Sequence, residues 1–132
     1  MPIFVVHEHF DIQESSLMNV QWDLSLEIGG LLKSWALSDQ PPRTKGIKRS
    51  AVQVEDRLRS YSNFQGELSS GQRRPGRVII WDRGRFHLIE KTMNKIEFEL
   101  KGLKLKGKYT LIKANHSDNS EPGWSFFKLE DI

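Results

Sequence analysis

Residues 20–28, VQWDLSLEI, alternate without a break. Val20, Trp22, Leu24, Leu26 and Ile28 are apolar, and Gln21, Asp23, Ser25 and Glu27 between them are polar. A β-strand sends successive side chains to opposite faces, so this segment is a strand with one apolar and one polar face. Gly29-Gly30 follows at once, then the apolar-rich run LLKSWAL at 31–37. Two glycines between two such runs predict a tight antiparallel hairpin. The apolar face must be buried against further strands. The polar face either meets water or carries Asp23 into a site.

Further strands follow from the same reasoning. IFVVHEH (3–9) is β-branched and aromatic, SAVQVED (50–56) alternates, and RVIIWD (77–82) is nearly continuous apolar. RFHLIE (85–90) follows a turn expected at Asp82–Gly84, and KIEFELKG (95–102), LKLKGKYTLIKA (103–114) and WSFFKLE (124–130) complete the set. Helical pattern is scarce: residues 10–19 and 55–64 are each expected to hold at most a turn or two. Closely spaced strands punctuated by Gly, Asn, Asp and Pro favour an all-β sandwich or barrel. With 132 residues, no internal repeat and no evident linker, 1–132 is expected to be a single domain. Trp22, Trp35, Trp81 and Trp124 sit in apolar strands and are expected in the core.

Composition narrows the function classes. The chain has no cysteine, which excludes disulfides, thiolate catalysis and thiolate metal sites. No apolar run approaches the roughly 20 residues that span a bilayer, and no signal peptide is expected at the start. The net charge is only +3, but residues 43–85 hold eleven Lys and Arg against four acidic residues. A basic middle suits an anionic partner such as nucleic acid, although charge alone favours a solvated surface.

His7 and His9, two apart on one strand, share a face. Two imidazoles at that spacing, with a carboxylate from a neighbouring strand, suit a divalent transition ion, and Asp23 is the obvious donor. On spacing alone, two half-exposed histidines near a terminus are the favoured alternative. There is no G-x-S-x-G motif and no phosphate-binding lysine loop. His87 reads as a satisfied strand residue and His116 as part of a polar turn.

The segments FVVHEH, WDLSLEIGGLLKSWAL, RSAVQVED, VIIWDRG, FELKGLKLKGKYTLIK and WSFFKLED occur in that order. The chain thereby resembles the 3′-phosphoesterase domain of bacterial DNA ligase D and its free-standing relatives, over nearly its whole length. The resemblance implies a small closed β-barrel with one or two short helices outside it. It also implies a manganese-dependent site that removes a 3′-phosphate or a 3′-terminal ribonucleotide during DNA repair. On the strand matching 20–28 the family carries His, Asp and Arg on the polar face, where this chain has Gln21, Asp23 and Ser25. The family's first metal histidine falls on His9. Its Arg before the fourth strand falls on Arg49, and its following Tyr on Tyr61. Its His after "VED" falls on Arg57, and its Lys after "WAV" on Asp39.

These matches imply His9 and Asp23, with His7 as a third donor, around Mn2+ or another divalent transition ion. They imply Arg49 and Arg57 on the phosphate, and Tyr61 as a catalytic group. With Gln21, Ser25, Asp39 and Arg57 at altered positions, weak or absent activity is expected. The alternatives are a non-catalytic barrel that binds DNA ends or a protein partner, and an unrelated oligonucleotide-binding barrel. The implied partners are DNA 3′ ends or a DNA/RNA primer-template, with ligase or end-joining proteins beside them. A cytoplasmic monomer with no membrane partner is expected. The loops 38–49 and 69–77 are expected to flank the site and make it electropositive.

Overall fold

The computed structural model describes residues 1–11, 19–68, 76–114 and 123–131. The expected hairpin is present: β2 (Asn19–Ile28) and β3 (Leu31–Leu37) pair in antiparallel register from Trp22–Leu37 to Ile28–Leu31. Gly29 and Gly30 both have positive φ, 65° and 84°. A two-residue turn with both central residues left-handed matches the twist of its strands, and only glycine adopts it without strain.

β1 (Ile3–Asp11), β4 (Lys48–Arg57), β6 (Gly76–Lys91), β7 (Lys95–Lys101), β8 (Lys106–Lys113) and β9 (Trp124–Glu130) extend this hairpin. The order is β1-β2-β3-β4-β9-β8-β7-β6, and β1 pairs back with β6. All pairs are antiparallel, so eight strands close into a ring without a free edge between them. A three-residue strand, β5 (Gly66–Leu68), adds to β6 outside the ring. A single 3₁₀ turn, Arg59–Asn63, lies between β4 and β5, within the stretch where a short helix was expected. The other expected helical stretch, 10–19, falls largely outside the described residues. Among those described, no helix is long and apolar enough to cross a membrane.

The core fills the ring. Phe4 and Val6 of β1, Leu24 and Leu26 of β2, Trp35, Phe98, Tyr109 and Phe126 are all fully buried. Tyr109 and Phe126 stack at 5.3 Å, and Phe98 stacks on Phe126 at 6.2 Å. The Tyr109 hydroxyl donates to Pro42 O at 2.9 Å, which satisfies its polar end and ties the 38–47 loop to the ring. Trp35 and Trp124 lie in the core as expected, and Trp22 and Trp81 pack against it half-buried.

The turn expected at Asp82–Gly84 is absent, and one strand of 16 residues runs through it. Its first half pairs with β1 and its second half with β7. Asp82 is buried, and its carboxylate accepts the backbone N–H groups of Leu103, Lys104 and Leu105 at 2.9, 3.1 and 2.8 Å. The Asp that reads locally as a turn residue instead caps the β7–β8 loop. Gly84 is needed for close approach, because a Cβ there would strike Lys101 O. The β1–β6 register shifts between Val6 and His7, which leaves Trp81 as an extra residue. Such a bulge bends a strand and re-aims its side chains, and here it lies beside His7. His87, expected as a satisfied strand residue, is instead exposed on β6 opposite Glu99. His116 lies outside the described residues.

Candidate functional site

The polar face of β2 does not meet water. Asp23 and Ser25 are buried, as are His7 and His9 on β1. In the β1–β2 register His7 stands opposite Asp23, and His9 opposite Gln21. The segment after β4, residues 59–65, lies across these residues and is tied down by polar contacts. Arg59 Nε donates to Glu27 Oε2 at 3.0 Å, Arg83 Nη1 to Asn63 Oδ1 at 2.7 Å, and Ile80 N to Gln65 Oε1 at 2.9 Å.

His7 is the best-defined member of the cluster. Its Nε2 lies 3.1 Å from the Phe64 carbonyl, which can only accept, so Nε2 carries the proton. The Nδ1 lone pair is then bare, and it is buried with no hydrogen-bond partner. Burial lowers the pKa of His7 to about 4, against the opposing pull of the Phe64 carbonyl, so the ring is neutral at pH 7. A neutral imidazole oriented through one nitrogen by a backbone carbonyl is how proteins present the other nitrogen to a metal.

Asp23 is engaged. Gln21 Nε2 donates to Oδ1 at 2.9 Å, and Arg57 Nη2 lies 3.5 Å from Oδ2. The guanidinium stacks over Tyr61, 4.8 Å from the ring centroid. Tyr61 contacts His7 at 4.9 Å between centroids and stacks on Phe64 at 5.3 Å. Arg57 Nη1 is a second buried polar atom with no hydrogen-bond partner. His7, Asp23, Arg57 and Tyr61 thus form one contiguous cluster.

The remaining expected residues fall outside that cluster of contacts. His9 is buried beside Gly76, where an added Cβ would crowd its Nε2. Arg49 donates from Nε to Gln40 O at 2.7 Å, on the loop after β3. Asp39 is exposed on that loop. Ser25 bonds to Ser34 Oγ at 2.8 Å, and Ser34 donates onward to Leu32 O, so the Ser25 proton is already committed. Among the described residues, no group of three or more His, Asp and Glu side chains is arranged to hold a metal ion. Loop 69–75 lies outside the described residues, but Leu68 and Gly76 at its ends pair with each other.

Two parts of the site were missed by reading the sequence. The Phe64 carbonyl sets the tautomer of His7, and a backbone atom leaves no residue signature. Gln21, counted there only as a lost imidazole, supplies the shorter of the two hydrogen bonds to Asp23. Its position two residues from Asp23 on one strand face was the available signal.

Comparison with known proteins places this geometry. Residues 7–113 match the DNA ligase D 3′-phosphoesterase domain family. The multifunctional non-homologous end joining protein LigD of Pseudomonas aeruginosa is 34% identical over 125 residues, which is 91% of this chain and 15% of that protein. The multifunctional non-homologous end joining DNA repair protein LigD of Mycobacterium tuberculosis is 34% identical over 111 residues, 80% of this chain and 14% of that protein. The LigD protein of Mycolicibacterium smegmatis is 33% identical over 136 residues, 95% of this chain and 17% of its own length. The chain therefore spans less than a fifth of these relatives.

Proposed function

This chain belongs to the DNA ligase D 3′-phosphoesterase domain family, and from that premise we propose that it processes 3′ ends of DNA in repair, with weak catalysis. The observation that carries the reading is the buried cluster at the family's site positions, in which His7, Asp23, Arg57 and Tyr61 touch under the 59–65 segment. The substrate is a 3′-phosphate or a 3′-terminal ribonucleotide on DNA or on a DNA/RNA primer-template, acted on in the cytoplasm beside ligase or end-joining proteins.

Arg57 is the phosphate contact, because Nη1 has a buried proton to give and no acceptor. Arg49 guards the approach from the β3–β4 loop, and Tyr61 holds the guanidinium against the phosphate. Mn2+ or a similar ion would be held by Asp23, His9 and the bare Nδ1 of His7. When bound, it supplies Lewis-acid charge and an activated water. The chain's own residues explain why turnover is slow. Release of phosphate requires a proton on the leaving 3′ oxygen. Arg57 does not titrate near neutrality, and His7 is neutral there with its one N–H directed at Phe64 O. Ser25 offers no positive charge where the family clamps the phosphate.

The test is release of phosphate from a 3′-phosphate primer in Mn2+, for the parent, His9→Ala and Asp23→Ala. Slow release that both substitutions abolish is expected. A parent that fails to bind the primer at low salt would overturn the reading. Binding without release leaves the second reading, a non-catalytic module for DNA ends. The engagement of Asp23 by Arg57 and of Ser25 by Ser34 favours that alternative.

A further inference from the structure

Asp23 is a buried carboxylate, and such a group is stable only when cations or donors compensate its lost hydration. Its compensating cation is Arg57, but the contact is long. At 3.5 Å the Nη2–Oδ2 distance exceeds the 2.7–2.9 Å of a well-made charge-assisted bond. The guanidinium is held instead by the Tyr61 face at 4.8 Å, and its Nη1 has no hydrogen-bond partner among the described residues. Opposite Asp23 in the register stands His7, whose Nδ1 lone pair is buried and also unpartnered. One carboxylate therefore faces a loosely bound organic cation on one side and an unused metal donor on the other.

Resting on the reading above, we propose that Arg57 is a tethered cation that competes with a divalent ion for Asp23. While Arg57 neutralises the carboxylate, the ion is held weakly, and Nη1 remains available to a phosphate oxygen. The ion binds when Arg57 gives up Asp23, because two cations on one buried carboxylate repel each other. Arg57 thus sets the metal affinity of the site and lets it hold a phosphate without metal.

The test uses the full chain and two probes, Mn2+ alone by calorimetry and inorganic phosphate in the presence of chelator. Arg57→Gln is expected to bind Mn2+ at least tenfold more tightly than the parent and phosphate at least tenfold more weakly. Opposite changes of this kind do not arise from a loss of fold. Arg57→Lys, which keeps the charge, is expected to retain the parent's weak Mn2+ binding. Asp23→Asn should abolish Mn2+ binding in either background. Metal-free Arg57→Gln should melt below the parent and recover on addition of Mn2+, since a ligand that binds only the folded state stabilises it. Arg57→Met keeps the apolar stem over Tyr61 and gives the same reading if the Gln variant does not fold. A parent that binds Mn2+ while neither neutral variant binds it more tightly overturns this proposal and leaves the ion site standing. Cooperative melting of all variants with no Mn2+ bound by any of them overturns both.

Discussion

Asp23 and Asp82 are buried to nearly the same degree, at 3% and 4% exposure. Asp82 is held by three backbone N–H groups of the β7–β8 loop. Asp23 is held by two side chains, Gln21 and Arg57. Backbone donors are fixed by the strands that carry them and cannot be exchanged for a ligand without unfolding the loop. Side-chain donors can rotate away. Burial alone thus does not distinguish a structural carboxylate from a functional one. The kind of donor that satisfies it does, and by that measure Asp82 builds the ring and Asp23 builds the site.

Replacing the two carboxylates tests this contrast most directly. Asp82→Ala leaves three buried N–H groups without a charged acceptor and should cost about 3–4 kcal/mol in urea denaturation. It should also loosen hydrogen exchange at Leu103–Leu105. An Asp82 variant no less stable than an Asp23 variant would break the comparison.

His7 lies between the two cases, since the backbone holds one of its nitrogens and nothing holds the other. Its pKa falls from 6.5 to about 4 on folding. Between those values the unfolded chain binds a proton that the folded chain does not, so stability rises with pH across the window and is lost on acidification. The full effect is on the order of 3 kcal/mol for this buried group. His7→Gln should flatten the stability profile between about pH 6.5 and 4 relative to the parent. A profile that keeps its slope in the variant would place the titration elsewhere.

Asp23→Asn preserves shape and the Gln21 contact, and its Arg57 partner is 18% exposed at the side chain. It should cost only about 1 kcal/mol, while removing Mn2+ binding by calorimetry. A loss as large as that of the Asp82 variant would make Asp23 structural after all. The smallest effect is expected at the rim. Glu27 accepts the Ile3 N–H at 3.0 Å through one oxygen and pairs through the other with Arg59, which is 54% exposed. Arg59→Ala should therefore change stability by about 0.5 kcal/mol or less, with the melting temperature as the readout.

The strands and their facing were legible in the sequence because side-chain alternation is a local property. Val20 to Ile28 announced the strand, Gly29-Gly30 the turn, and Phe98 or Leu100 the side that is buried. Asp82-Arg83-Gly84 misled because Asp and Gly are turn residues only when their own neighbours need them. Here Asp82 serves a loop some twenty residues away and Gly84 serves Lys101, so the strand runs on. In the site, His7 and Asp23 were legible as donors on shared faces, and resemblance to a family pointed to Arg57 and Tyr61. Which atoms those groups use was decided by tertiary structure alone. The carbonyl of Phe64 selects the tautomer of His7, Tyr61 holds the guanidinium, and Arg57 comes within reach of Asp23 across 34 residues of chain. Alternation and turn chemistry are written one residue at a time. A buried charge is settled by whichever distant partner the closed ring brings to it.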